Sequence, residues 1–315
     1  MNDLIKNLLK TFKLTDEGDI KAYLGIDVIK TESGTLTIRQ PALTNRILKA
    51  LKLDEECKCH DTPATTVLMK DKDGEERLQE WNYKSVIGMM MFLAGTTRPD
   101  ISFAVHQCAR FSQNPMRSHE EAVKRIGRYL KGTADKGIIF KSNGSNKLTA
   151  YADADFAGSW NFKNSDEASS VLSRSGYLIM FSNCPILWVS KMQSEIALST
   201  TEAEYICLSQ CIRDLIPIRT IIKELAPILN MDISDSVVRS TVFEDNKGAI
   251  ELAKEPKYRP RTKHIGLKWH HFREHVKKGT VKILYIDTKE QLADCLTKPL
   301  PRPQYVQLRN GIMGW

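Results

Sequence analysis

Four carboxylates in the second half of the chain stand where the edge of a strand or the start of a helix could turn them toward a common point. Asp153 lies in Tyr151-Ala-Asp-Ala-Asp-Phe156 and Glu202 in Ser199-Thr-Thr-Glu-Ala-Glu-Tyr205. Asp245 follows in Val242-Phe-Glu-Asp-Asn-Lys247 and Asp294 in Glu290-Gln-Leu-Ala-Asp-Cys295. Four such groups within about 4 Å would repel by roughly 4 kcal/mol per pair at an effective dielectric near 20, so a fold that gathers them needs divalent cations. Two Mg²⁺ ions about 3.5–4 Å apart, with Mn²⁺ as a substitute, are the usual means of cutting a phosphodiester.

Three of the four carboxylates have a neighbour that competes, and the fourth has an ordinary structural role open to it. Strand alternation puts Ala154 on the far face, which leaves Asp155 on the same side as Asp153. Ser199-x-x-Glu202 spells a capping box, and Glu204 could cap from Thr201 in the same way; periodicity does not separate the two. Glu244 competes with Asp245. Asp294 lies one turn into a helix, where an acidic group also complements the dipole.

The elements that must position these groups follow from apolar spacing. In the first half a short amphipathic helix is expected over 2–12, then a hairpin of 23–29 and 36–38 turning at Gly34, and a helix opened by Pro41. Residues 54–80, broken by Pro63 and Gly74, read as a loop or hinge, and helical patterns cover 83–94, 99–111 and 118–130. Ser142-Asn-Gly-Ser-Asn146 is the best boundary, giving regions 1–141 and 147–315. Beyond it the order becomes a strand at 148–152, a hairpin of 176–181 and 186–191, a helix from 200, a strand at 237–244 and a short helix around 249–253. A longer basic helix at 265–276, a strand at 281–286 and a final helix capped by Thr288-x-x-Gln291 complete it. The expected fold is α/β, a mixed five-stranded sheet flanked by helices and preceded by a smaller α+β region.

The chain has 315 residues, is 42% hydrophobic and carries a net charge of +8. That balance favours a polyanionic partner. Lys124, Arg125 and Arg128 place cations on the helix at 118–130, and Arg261, Lys263, His264 and Lys268 form a second cationic patch. Seven cysteines with no framework spacing point to a reducing compartment. The longest apolar run, 86–94, is about half a membrane span, so no membrane partner is expected. His271 and His275 have helical spacing, but no further Cys or His ligands follow at short distance to complete a zinc site.

Taken together, Tyr151-Ala-Asp-Ala-Asp155, Ser173-Arg-Ser-Gly-Tyr177, Trp188-Val-Ser-Lys191, Ala197-Leu-Ser-Thr-Thr-Glu-Ala-Glu-Tyr205, Asp245-Asn246, Arg261-Thr-Lys-His-Ile265 and Gln291-Leu-Ala-Asp294 with Thr297-Lys298 resemble the ribonuclease H domain that ends the polyprotein of copia-type LTR retrotransposons. Tyr23-Leu-Gly-Ile26, Thr97-Arg-Pro-Asp-Ile101 and Arg128-Tyr-Leu-Lys-Gly132 resemble the family's thumb and connection. The resemblance implies a ribonuclease H-like fold at 147–315 and a thumb/connection remnant at 1–141. It implies Asp153, Glu202, Asp245 and Asp294 as catalytic metal ligands for two Mg²⁺ ions that hydrolyse the RNA strand of an RNA–DNA hybrid. One ion would activate water and the other would stabilise the leaving oxygen. A silent nucleic-acid-binding remnant is the alternative. The family setting is cytoplasmic, in virus-like particles, or nuclear, alongside other parts of the polyprotein. No adjacent Asp-Asp pair of the kind that holds polymerase metals occurs in the chain.

Overall fold

The computed structural model describes residues 2–15, 17–53, 56–141, 144–160, 162, 168–231, 240–254 and 271–315. The first half opens with helix α1 (Asn2–Thr11) and a small antiparallel sheet of β1 (Ala22–Tyr23), β2 (Ile26–Lys30) and β3 (Leu36–Arg39). Gly34 makes the β2–β3 turn at φ +80°, a conformation that costs a residue without Cβ almost nothing. Helix α2 (Pro41–Ala50) starts on its proline, whose missing N–H would be unsatisfied there anyway. Helices α3 (Tyr83–Thr96), α4 (Ser102–Ala109) and α5 (Arg117–Lys131) follow, and β4 (Ile138–Phe140) returns to pair with β3 through Ile38 and Ile138. The Asn82 side chain caps α3 by accepting from the backbone N–H of Ser85 at 3.0 Å. Residues 56–80 are largely irregular, as their composition implies.

The second half builds a five-stranded mixed sheet from β5 (Leu148–Asp155), β6 (Arg174–Phe181), β7 (Cys184–Met192), β8 (Ser240–Glu244) and β9 (Val281–Tyr285), in the order β7-β6-β5-β8-β9. Strands β5, β6 and β7 form an antiparallel meander, while β8 and β9 add on the other side in parallel. This is the expected α/β sheet of a ribonuclease H-like fold. Helix α6 (Thr200–Ile228) lies on one face, and α7 (Lys247–Lys254) and α8 (Arg273–Lys277) pack beside it. The other face is covered by the first half together with α9 (Asp294–Thr297) and α10 (Arg302–Met313).

Strand alternation divides the interior accordingly. Leu178 and Met180 of β6 join a core with Met90, Leu93, Ile126 and Ile312. Tyr177 and Ile179 join the second core, with Ala150, Cys207 and Ile283. The last helix therefore belongs to the core of the first half. Buried Arg98 locks this junction: it donates to Asp100 at 2.8 and 2.9 Å and to Thr133 O at 3.0 Å. The Tyr129 hydroxyl donates to the Asp100 carboxylate at 2.6 Å, and the Tyr305 hydroxyl of α10 donates to the Asp100 carbonyl at 3.0 Å.

Two expectations need correction. The capping box expected at Thr288 opens only a single 3-10 turn, Thr288–Glu290, and the cap is Asp287, which accepts from Lys289 N–H at 2.9 Å. The helix that follows is split into α9 and α10 by Pro299 and Pro301, neither of which supplies the N–H a continuous helix needs. Of the expected basic helix at 265–276, only the end falls within the described residues, as α8.

Candidate metal-binding site

The two central parallel strands, β5 and β8, end side by side, at the point where the connections diverge to opposite edges of the sheet. In open α/β sheets this is the usual place for a binding site. Asp153 sits near the end of β5, and Asp245 is the first residue past β8. Glu204 projects from the first turns of α6, which packs directly on β5. One carboxylate oxygen from each of Asp153, Glu204 and Asp245 lies within 4.8 Å of the other two.

Glu202, the residue implied by the resemblance, is not part of this group. Ser199 is the N-cap of α6 and accepts from Glu202 N–H at 3.1 Å, while the Glu202 carboxylate accepts from Leu198 N–H at 2.8 Å. The side chain thus serves the start of the helix. A helix turns about 100° per residue, so residues two apart point in nearly opposite directions and only Glu204 faces the sheet.

Asp294 is fully buried at the first position of α9. Gly176 makes its approach feasible. It is the partner of Asp153 across β5 and β6, and a Cβ there would come within 2.5 Å of the Thr297 methyl and 2.9 Å of Leu296 Cβ. Gln291 secures the same segment by donating to Ala152 O at 2.8 Å. Helix α9 thereby brings three groups to the site. The Thr297 hydroxyl donates to Asp153 Oδ2. The Lys298 ammonium lies 2.9 Å from Asp294 Oδ1 and 3.7 Å from Asp153 Oδ1.

The electrostatics match a site built for cations. Burial, followed by the charges of Glu244, Asp153 and Asp245, pushes Glu204 well above the ordinary carboxylate range. Burial also raises Asp153, with Lys298 and Thr297 opposing it. Asp294 is pushed up to about 8, first by burial and then by Asp153. Burial works to lower Lys298, but the charges of Asp153 and Asp294 outweigh it and hold the ammonium above its usual range. Glu204 Oε2 is buried with no hydrogen-bond partner, and so is Glu244 Oε2. An orphaned buried carboxylate oxygen is costly unless a ligand completes it, and three converging oxygens with one orphan suit a hard divalent cation with oxygen ligands.

The competing carboxylates are also placed. Asp155 is raised by burial and then by Asp153, but lies outside the converging group. Glu244 is fully buried and accepts from Asn246 N–H at 3.1 Å, while Asp245 accepts from the Thr288 hydroxyl at 2.7 Å. Thr297 and Lys298 were visible as a motif; the signal for their role is that Lys298 falls one helical turn, i+4, from Asp294.

The basic residues of α5 are engaged within the chain. Lys124 Nζ lies 3.8 Å from Glu80, Arg125 donates to Thr62 Oγ1 at 2.9 Å, and Arg128 donates to Cys57 Sγ at 3.2 Å. Arg261, Lys263, His264 and Lys268 lie outside the described residues.

The chain is similar over nearly its whole length to curated transposon proteins. It is 34% identical over 317 residues to the retrovirus-related Pol polyprotein from transposon TNT 1-94 of Nicotiana tabacum, covering 98% of this chain and 22% of that protein. The corresponding polyproteins from transposons RE2 and RE1 of Arabidopsis thaliana are 32% and 29% identical, over 97% and 99% of this chain and 20% of each relative. The chain therefore spans about a fifth of the length of these relatives. No family model and no solved structure matches it.

Proposed function

Because this chain is homologous to a stretch of the retrovirus-related Pol polyproteins of transposons, we propose that it is a retroelement ribonuclease H that hydrolyses the RNA strand of an RNA–DNA hybrid. The observation that carries this reading is the convergence of Asp153, Glu204 and Asp245 within 4.8 Å at the ends of the two central parallel strands. Asp153, Glu204, Asp245 and Asp294 would hold two Mg²⁺ ions. Bound there, the ions supply Lewis-acid activation of water and charge compensation at the phosphate.

The chain's own groups hold the site in readiness. Thr297 fixes the orientation of Asp153 through its hydroxyl, and Thr288 does the same for Asp245. Ordering these carboxylates before substrate arrives avoids the reorganisation cost at the moment of reaction. Gln291 and Gly176 keep α9 against the sheet, so that Asp294 stays beside Asp153. Hybrid selection would rest on 2′-hydroxyl and phosphate contacts along the wide, shallow minor groove, without base readout. Residues 1–141 would act as thumb and connection.

The test is cleavage of a labelled RNA–DNA hybrid with Mg²⁺, against duplex DNA and single-stranded RNA. The expected outcome is metal-dependent cutting of the RNA strand of the hybrid only. Hybrid binding without cutting at any Mg²⁺ or Mn²⁺ concentration would leave a nucleic-acid-binding remnant in place of the enzyme.

A further inference from the structure

Lys298 occupies a position that charge alone makes unusual. Its ammonium stands 2.9 Å from Asp294 and 3.7 Å from Asp153, between two buried carboxylates that the nuclease reading assigns to metal. Only a third of the lysine side chain is exposed, and both carboxylates are essentially closed to solvent. Among the described residues, the carboxylates that converge closely enough to share an ion are Asp153, Glu204 and Asp245; Asp294 is not one of them. The four acidic groups therefore divide into two halves. One has three carboxylates and an orphaned Glu204 oxygen. The other has Asp294, whose buried oxygens likewise lack a hydrogen-bond partner, one edge of Asp153 and a cation already supplied by the chain as an ion pair.

Resting on the ribonuclease H reading, we infer that Lys298 is a built-in counter-cation for the second metal position and makes the two positions unequal. The first ion enters the three-carboxylate half, where the ammonium reaches only the Asp153 edge, at 3.7 Å. The second must displace the ammonium from Asp294 and Asp153, and a dication approaching within a few ångströms of it also meets direct repulsion. Until then, Lys298 keeps Asp153 and Asp294 from facing each other uncompensated. Lys298 is the residue that closes the single-turn helix α9, four positions after Asp294, which keeps this arrangement short, and Thr297, the preceding residue, holds Asp153 on its other oxygen. Lys298 is thus a positioning residue that sets the order of metal loading.

Mn²⁺ binding to the full chain tests this, read by calorimetry and by electron paramagnetic resonance without nucleic acid. The parent is expected to bind one ion more tightly than the next. Lys298→Met and Lys298→Gln should tighten the weaker ion by on the order of tenfold or more and the first by much less, because the ammonium lies 2.9 Å from Asp294 and 3.7 Å from the shared Asp153. Lys298→Arg should keep the parent's inequality. Without metal, Lys298→Met should melt below the parent, and its gain in melting temperature on adding Mn²⁺ should be larger. A second readout needs no substitution: acetylation of Lys298 by an amine reagent, followed by mass spectrometry, should rise as Mn²⁺ saturates the weaker site. Two ions of equal affinity in the parent, an unchanged second affinity in both neutral variants, or acetylation of Lys298 indifferent to Mn²⁺ would overturn the inference and leave the nuclease reading standing. No Mn²⁺ binding in the parent or any variant would remove both.

Discussion

Replacing Glu204 by Gln removes one charge from the converging group while keeping its volume. At separations within 4.8 Å and an effective dielectric near 20, each pair of full charges costs about 3.5 kcal/mol or more, so a fully ionised site would be relieved of about 7 kcal/mol or more by losing one member. Burial and then the acidic neighbours push the Glu204 carboxyl well above its ordinary range, which opposes that ionisation. The sign follows from linkage. Above the ordinary glutamate range the folded state binds more protons than the unfolded state, so stability falls as pH rises through the interval up to the raised value. Glu204→Gln abolishes that contribution. Without divalent ions, parent and variant should melt together near pH 5, and near pH 9 the variant should melt higher by several degrees, at about 2–4 °C per kcal/mol. With Mn²⁺ the parent should gain stability and the variant little, and hybrid cleavage by the variant should fall by about 100-fold or more. Glu202→Gln is the control. It weakens the start of α6 by about 1 kcal/mol but should keep cleavage within a few-fold. Full cleavage by Glu204→Gln together with loss in Glu202→Gln would refute this assignment.

Asp153→Asn should abolish hybrid cleavage and leave hybrid affinity intact, whereas Asp155→Asn should retain most activity; single-turnover assays on both variants decide which aspartate is the ligand. Gly176→Ala should force α9 away from β6, lowering both metal affinity and cleavage without unfolding the chain, as metal titration and circular dichroism will show. Asp100→Ala strands buried Arg98 and should cost about 3–5 kcal/mol of stability in urea denaturation, with a loss near zero counting against the lock. Hybrid affinity should fall with salt, and neutralising Lys124, Arg125 and Arg128 together should shallow the logarithmic slope by roughly 0.7–0.9 for each residue that meets a phosphate; an unchanged slope would mean that their partners Glu80, Thr62 and Cys57 are their whole role.

The sheet was legible because period-2 alternation and turn residues mark strands locally, and an acidic group at a strand end is visible in the sequence as a candidate. That pattern left Asp155 open beside Asp153 and Glu244 open beside Asp245, and the choice within each pair came from the family resemblance. The choice between Glu202 and Glu204 was not legible, since both stand three residues after a hydroxyl residue and either could have been the cap. What brings Glu204 rather than Glu202 beside Asp153 and Asp245 is the rotational phase of α6 as it lies on β5, a tertiary property. Lys298 escaped for a related reason: its meaning depends on a four-residue helix that proline ends and that Gly176 admits to the sheet. Nor could spacing reveal that α10 completes the other half, because Tyr305, Leu308 and Ile312 read as an ordinary amphipathic face wherever they pack.

That return of α10 sets a timetable for synthesis. The helices of the first half are made early, yet Tyr305, Leu308, Ile312 and Met313, which close their core, emerge much later. About 175 residues separate Leu130 from Tyr305, which at about 5–20 residues per second leaves roughly 10–35 s during which the apolar faces of α3 and α5 have left the ribosome uncovered. During that interval the first half depends on chaperones or on a loose, native-like collapse. Its final ordering and the docking of α9 beside Asp153 then become one event, so a nascent chain stalled before residue 290 would carry neither a finished core nor a complete set of acidic ligands.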